Sequence, residues 1–388
     1  MRILQIHNQY SLPGGEDSVA ETEAALLTEA GHQVVPVRPN NPEGGMRAAA
    51  GLAGAVWNPS RFAEMRRLVR AKQPDVAHAH NTWFSLSSSV FDALHGAGVP
   101  TVMTLHNYRL VCGNALLFRD GKICTDCVGS HAWHAVGHGC YRGSKAQSAV
   151  AAATIAAARR RGTWSRVNLF LAPSQFVKDT YVAAGFTPES ILVKPNVVAD
   201  PGPRAEPPSA SSRVLYVGRL APEKGIATLL EAWRSSASAL GDLELMIVGD
   251  GPSRSSLERA APGNVRFTGW VDGDQLRRLM LGSRALVVPT ECYETFGLVA
   301  VEAMAAGMPA VCSAIGGTAE VAGQLGGGWL VTPGDPVAWG AALVGLTDDG
   351  QVDSAGEKGR CLFEQKYTFA EGLRMTLAAY RRAIDAAI

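Results

Sequence analysis

Ala285-Leu286-Val287-Val288, then Thr290-Glu291-Cys292-Tyr293-Glu294-Thr295-Phe296-Gly297-Leu298-Val299-Ala300-Val301-Glu302-Ala303-Met304-Ala305-Ala306-Gly307, then Met308-Pro309-Ala310-Val311, is the stretch whose reading decides the fold. The two short apolar runs read as buried strands. Between them lie a loop with two carboxylates and, from Gly297, a helix rich in Ala, Leu and Met. A strand, a helix and a further strand make the unit of a parallel sheet covered by helices. Glu294 stands just before the helix, and Glu302 lies roughly two turns further on at about 3.6 residues per turn. A helix N-terminus has free N–H groups and a positive dipole end, which suits a phosphate. The two carboxylates could then hold hydroxyl groups on either side of it. Taken alone, the glutamates fit a solvated surface helix equally well.

Working outward, the same alternation fills the chain. Ile3–Ile6 reads as a strand, followed by a polar loop with Pro13-Gly14-Gly15-Glu16-Asp17 and a helix over Ser18–Ala30 capped by Gly31. The Gly pair lacks the Gly-x-Gly-x-x-Gly spacing of a dinucleotide site. Strands are expected at Gln33–Val37, Asp75–His80, Thr101–Leu105, Val167–Ala172 and Ile191–Val193, with helices at Ser87–Ala97, about Lys145–Arg161 and from Ser174. Residues 200–212 are rich in Pro and Ser without apolar periodicity and read as a linker. The alternation restarts with strands Val214–Val217, Leu243–Val248 and Val265–Phe267. The expectation is an α/β protein of two Rossmann-like parallel-sheet domains facing a cleft. Residues 1–199 form the first domain, with a Cys-rich insertion at about 107–143. Residues 213–368 form the second. A helix over 369–388 is expected to pack back on the first.

Composition narrows the class. The 388 residues are 47% hydrophobic and 18% charged with a net charge of +1, which describes a globular chain with no basic bias toward nucleic acid. The N-terminus meets polar residues too early for a secretory signal, and no apolar run is long enough to span a bilayer. The expected place is the cytoplasm, or the inner membrane surface if the basic residues Arg142, Lys145 and Arg159–Arg161 meet lipid. Seven cysteines without a signal argue against a secreted disulfide framework.

Four motifs occur in order in the second half: Gly218-Arg219-Leu220-Ala221-Pro222-Glu223-Lys224-Gly225, Val248-Gly249-Asp250-Gly251-Pro252, Phe267-Thr268-Gly269 and Glu294–Glu302. With Gly316-Gly317-Thr318-Ala319-Glu320, Gly14-Gly15-Glu16 and a strand ending in His106, the set resembles the family 4 glycosyltransferases of the GT-B fold over nearly the whole chain. The resemblance implies a retaining transfer of a hexose from a nucleotide diphosphate sugar to an acceptor hydroxyl, without an obligatory metal. It places Arg219 and Lys224 on the diphosphate, Glu294 on the sugar hydroxyls and Glu302 on the ribose. By the same resemblance the amides of Phe296, Gly297 and Leu298 would face phosphate, the backbone at Trp270 and Val271 would meet the base, Gly14 and Gly15 would approach the donor, and His106 would lie by the sugar. Arg219 offers a planar fork and Lys224 a point charge, the groups a departing diphosphate requires. Glu16, Asp17, Asn81, Trp83 and Arg142 are the candidates for the acceptor side. Asp272-Gly273-Asp274 resembles a metal-binding pattern of another fold but reads better as a helix cap. A nucleotide-sugar epimerase or hydrolase, or a silent nucleotide-sugar-binding subunit, are the alternatives.

Cys112, Cys124, Cys127 and Cys140 remain, with His131, His134 and His138 among them. Cys124-Thr125-Asp126-Cys127 has the spacing by which two thiolates share one zinc, and the outer pair could complete a Cys-four structural site. A set of reduced thiols is the other reading. Cys292, Cys312 and Cys361 read as packed thiols.

Overall fold

The computed structural model describes residues 1–9, 14–41, 54–324 and 329–387; Pro13 of the first loop lies outside them. The chain divides into two compact units. One holds Met1–Leu117, Cys124–Pro195 and Gly372–Ile388, the other Phe118–Ile123 and Asn196–Glu371. In chain order the first half carries β1 (Arg2–His7), β2 (Gln33–Val37), β3 (Val76–Asn81), β4 (Thr101–Thr104), the two-residue pair β5 (Phe118–Arg119) and β6 (Lys122–Ile123), β7 (Leu169–Ala172) and β8 (Ile191–Val193). Six of these form a sheet in the order β2-β1-β3-β4-β7-β8, and β5 and β6 form a separate antiparallel hairpin. The second half carries β9 (Arg213–Val217), β10 (Glu244–Val248), β11 (Val265–Gly269), β12 (Ala285–Val288), β13 (Ala310–Ser313) and β14 (Leu330–Val331), in the order β11-β10-β9-β12-β13-β14. All pairings in the two larger sheets are parallel.

Parallel strands are buried on both faces, so near-continuous apolar runs suit them. β12 and β13 follow that rule, with every residue buried. β3 breaks it: Val76-Ala77-His78-Ala79-His80-Asn81 is buried throughout, although three of its six residues are polar. Those three need partners, because an unpaired buried polar group is costly.

In an open parallel sheet, ligands bind beyond the strands' carboxyl ends where the strand order reverses direction. In the second sheet that point lies between β9 and β12, and in the first between β1 and β3. The loops after β9 and β12 are 218–224 and 289–297, the two that carry Arg219, Lys224 and Glu294.

One placement could not be read from local pattern. Segment 200–212, expected as a linker, is fastened to the second unit. Arg204 donates to the carbonyls of Met280, Ser283 and Ala306, Ser209 binds Asp353 through N and Oγ, and Asp200 pairs with Arg360 at 2.7 Å. Its Pro and Ser content reports missing regular structure, not missing contacts. The helix Phe369–Asp385 buries Gly372, Thr376, Ala379, Tyr380 and Ala383 along one stripe. Ala379, Tyr380 and Ala383 join Ile3, Val76, Val102, Leu169 and Leu171 in the first unit's core. Helices Pro59–Lys72, Pro336–Gly345 and Asp349–Lys366 complete the picture without having been foreseen.

Candidate functional site

The loops after β9 and β12 are stitched together by backbone. Glu291 N donates to Glu223 O at 2.9 Å, and Thr290 Oγ1 to the same carbonyl at 3.3 Å. Gly225, with φ +68°, lies against this seam: a Cβ there would stand 1.9 Å from Pro289 O. Only glycine allows that approach. The consequence is direct contact between Lys224 and Glu294, whose side chains are 26% and 25% exposed and form an ion pair. Burial works against the lysine's charge, but Glu294 more than offsets it, so Lys224 titrates above its ordinary range. The nearby Cys292 thiol is pushed up to about 11, first by burial and then by Glu294.

Arg219 sits at the head of the same loop, its carbonyl accepting from Tyr216 OH at 3.0 Å, while its exposed guanidinium has no ion-pair or hydrogen-bond partner among the described residues. The neighbouring loop after β10 packs beneath it, with Leu220 N donating to Asp250 O at 2.9 Å and Ser253 N to Leu220 O at 2.9 Å. The end of β11 adds Gly269, whose carbonyl accepts from Gly249 N at 2.9 Å. Beyond it Trp270 is 78% exposed, while Val271 packs against the core. The ordered motifs of the sequence are thus adjacent strand ends of one sheet.

The helix Leu298–Ala305 starts after Gly297, which has φ +89°. Its first-turn amides lack intrahelical acceptors. Phe296 is buried beneath it at 3% exposure. The Gly316–Gly317 pair, known from sequence only as part of a motif, braces this turn. Gly317 N donates to Glu294 O at 2.8 Å, and a Cβ on Gly317 would lie 2.3 Å from Thr295 O. Glu302 is half-buried, and its carboxylate has no hydrogen-bond or ion-pair partner among the described residues. Burial alone raises it to about 7. A carboxylate that gives up water without a protein partner is poised for donors from a ligand. Asp272 caps the helix Gly273–Leu281 by accepting from Gln275 N at 2.7 Å, as its position predicts.

The first unit shows a different chemistry at its own reversal point. Asp17 is buried and committed, one oxygen accepting from Gly14 N at 2.8 Å and the other 2.8 Å from His7 Nε2. It shapes the Gly14–Gly15 turn rather than facing outward. Gly15 has open space where a Cβ would stand. Glu16 accepts from Asn107 Nδ2 at 2.9 Å, which brings this turn beside the loop of His106. Asn81 and Trp83, expected at the acceptor side, are 5% and 6% exposed. Asn81 accepts from Trp83 N and donates to Asn8 O, while Trp83 Nε1 donates to Tyr141 OH at 3.2 Å, with the Arg109 guanidinium over its ring. These residues frame the loop from inside. The cavity beside them and His106 measures about 20 Å³, room for about one water. Arg142 is exposed, with its guanidinium over the Tyr141 ring.

His106 is held at 2.9 Å, Nε2 to His80 Nδ1, with the two rings stacked. Burial, then His7 and His78, lower it to about 3, so it is neutral and a weak base at neutral pH. Behind it lies a network that no local pattern announces. Glu23 meets His78 Nδ1 at 2.6 Å and Lys194 Nζ at 3.1 Å, and the hydroxyls of Thr376 and Tyr380 at 3.4 Å. His78 and Lys194, opposing the cost of burial, hold Glu23 well below the usual carboxylate range. Glu23, His78 and His80 have ligand atoms within 4.8 Å of one another. With an ammonium already on Glu23, these groups neutralise one another without a metal.

No disulfide joins the four inserted cysteines, of which Cys112 and Cys127 are buried. No helix among the described residues is long and apolar enough to cross a membrane.

Residues 14–197 match a family described as glycosyl transferase 4-like domain, and residues 211–349 one described as glycosyl transferases group 1. An uncharacterized glycosyltransferase of Methanocaldococcus jannaschii is 34% identical over 179 residues, covering 44% of this chain and 45% of the relative. The phosphatidyl-myo-inositol mannosyltransferase of Mycolicibacterium smegmatis is 35% identical over 148 residues, 37% of this chain and 38% of the relative. The chain thus spans under half the length of these curated relatives. Among solved structures, Anabaena HepE in complex with UDP superposes with a TM-score of 0.69 at 18% identity, over 97% of this chain and 99% of that one. Sucrose-phosphate synthase of Thermosynechococcus elongatus gives 0.71 at 18% identity over the whole of both chains.

Proposed function

We propose that this chain, which belongs to the family 4 glycosyltransferases of the GT-B fold, moves a hexose from a nucleotide diphosphate sugar to an acceptor hydroxyl. The observation that carries this reading is the second sheet's reversal point, where Arg219, the Lys224–Glu294 pair and a helix N-terminus stand on adjoining loops. The diphosphate takes Arg219, Lys224 and the amides of Gly297 and Leu298. Its charge competes with Glu294 for the lysine, which turns Glu294 toward the hydroxyls of the sugar. Glu302 accepts from the ribose. Trp270 and Val271 border the base.

The chemistry requires charge stabilisation more than a protein base. The bond from the anomeric carbon to the phosphate oxygen breaks with its electron pair on the diphosphate, where Arg219 and Lys224 meet the developing charge. They supply there the positive charge that a metal would otherwise bring. The acceptor oxygen attacks on the same face and its proton passes to the leaving phosphate. His106, neutral and weakly basic, positions a hydroxyl and takes no proton. Product NMR, on reactions run without added divalent metal, should show a retained anomeric centre. An inverted product would remove this mechanism.

Relatives include a phosphatidyl-myo-inositol mannosyltransferase and a 2-deoxystreptamine glucosyltransferase, one named for a lipid and one for a small polar molecule. The acceptor hydroxyl belongs to a glycan, a glycolipid or a small metabolite. The donor comes first experimentally. A panel of nucleotide sugars should contain one that raises the melting temperature of the full chain, since saturation at about 100 times Kd stabilises by about 2.7 kcal/mol. Arg219→Ala should lose that shift without changing the unliganded melting point. A flat response to every nucleotide sugar and nucleoside diphosphate at millimolar concentration would defeat the proposal. Release of nucleotide in the absence of any acceptor would favour the epimerase or hydrolase reading.

A further inference from the structure

We infer that Glu23, on the helix Gly15–Glu29, is a positioning residue for the sugar site: through His80 it fixes which ring nitrogen of His106 carries the hydrogen, so that His106 meets a sugar hydroxyl as an acceptor at Nδ1. This role rests on the sugar-transfer reading, which puts His106 beside the transferred sugar. The buried stripe of the helix is Asp17, Ala20, Glu23 and Leu27, so a carboxylate faces the sheet where an apolar side chain would ordinarily pack. On β3, His78 and His80 alternate with Ala77 and Ala79 and lie on one face. Glu23 Oε1 lies 2.6 Å from His78 Nδ1 and 3.6 Å from His80 Nε2, and Tyr380 OH donates to it at 3.4 Å. Oε2 takes Lys194 Nζ at 3.1 Å and Thr376 Oγ1 at 3.4 Å. Apolar side chains of similar volume often serve stability as well as a buried charge cluster does. What the cluster adds is a fixed orientation for its members.

The hydrogen placement follows from the charge on Glu23. Burial opposes that charge, but His78 and Lys194 outweigh burial and hold Glu23 well below the usual carboxylate range. An ionised carboxylate only accepts. Burial, more than any neighbour, lowers both His80 and His106, so each ring is neutral and carries one hydrogen. On His80 the hydrogen goes to Nε2, the nitrogen that faces the carboxylate, and Nδ1 is left as an acceptor. The partner of Nδ1, at 2.9 Å, is His106 Nε2. That bond needs the hydrogen on His106 Nε2, which makes His106 Nδ1 the acceptor nitrogen. Gln5 pulls the other way, with its Nε2 at 3.5 Å from His80 Nε2. It is a donor there, because Gln5 Oε1 takes Arg38 Nη2 at 3.0 Å. The same amide already donates to Ala20 O at 2.7 Å, and a neutral amide polarises a ring less than a full charge at a similar distance.

Long-range proton–nitrogen NMR on the full chain with isotope-labelled histidine checks the placement, the His106 signals being assigned by their loss in His106→Ala. The expected spectrum has hydrogen on Nε2 and a bare Nδ1. Glu23→Gln combined with Lys194→Met removes the carboxylate without stranding the lysine, and both forms of His106 should then appear. Transfer should fall about tenfold in kcat/KM, the worth of one hydrogen bond, while affinity for the nucleoside diphosphate alone, which lacks the sugar, stays unchanged. His106→Ala should lose a similar factor, and adding it to the Glu23 and Lys194 changes should lose no more, because the two act through one contact. Hydrogen on Nδ1 of His106 in the wild-type chain overturns the inference, and that spectrum decides even if the Glu23 variant does not fold. Losses that multiply in the combined variant overturn the positioning role. A chain that binds no nucleotide sugar yet shows the expected spectrum keeps the hydrogen placement and overturns the sugar role together with the sugar-transfer reading.

Discussion

Lys224→Met is expected to lower kcat by about two to three orders of magnitude, the usual effect of removing one preorganised group from developing charge. The lysine sits on the loop after β9, is held by Glu294 and stays protonated above its ordinary range. Its charge is therefore constant at working pH, and its loss should not create a new limb in the pH–rate profile. The substitution also leaves Glu294, only a quarter exposed, without its cation, at a cost of about 1–3 kcal/mol. Glu294→Gln in the same chain should restore much of that stability and none of the turnover. Steady-state kinetics beside thermal denaturation separate the two effects. Turnover within threefold of wild type in Lys224→Met would exclude the lysine from the phosphate site.

Glu302 makes the second large prediction, and its sign follows from its surroundings. Burial raises this carboxyl to about 7, and no described residue relieves it. Ribose hydroxyls bind best to the ionised form and lower its pKa in the complex. Donor binding then expels a proton whenever the free site is protonated, so affinity should fall as pH falls below about 7, by up to tenfold per pH unit. Glu302→Gln should bind about 10- to 100-fold more weakly at pH 8, the worth of hydrogen bonds to a charged group, and should lack that slope. Lys224 titrates too high to contribute to it. Titrations of donor affinity from pH 5.5 to 8.5 on both proteins provide the check, and equal slopes would remove Glu302 from the donor site. Stability should run the other way. The folded state holds more protons at Glu302 than the unfolded chain between the ordinary carboxylate range and about pH 7, so this group's contribution is present at low pH and lost as pH rises to 7.

Much of the second unit was legible because its signals are local. The strand ends, the Gly-rich turns and the helix after Gly297 are set by periodicity and by glycine's access to left-handed backbone. They appear where the sequence places them, at Ala285–Val288, Gly297 and Leu298–Ala305. The first unit was harder. Asp17, Asn81 and Trp83 were candidates for the acceptor side, and the structure has all three buried and bound to neighbours. Glu23 and Lys194 carried no signal, since a buried ion pair between residues 171 positions apart has no sequence period.

The sequence by itself determined the α/β alternation, the two runs of strands and the residue types on the loops of the proposed donor site. Those properties depend on side-chain periodicity and turn chemistry within a few residues. The tertiary structure alone decided the strand orders and hence the reversal point that gathers Arg219, Lys224 and Glu294. It decided that Tyr380 of the C-terminal helix reaches His78 at 2.8 Å across 302 positions. It also set the burial that raises Glu302 and lowers His106. Desolvation and the choice of a charged partner belong to the packed environment, which residues remote in the chain supply.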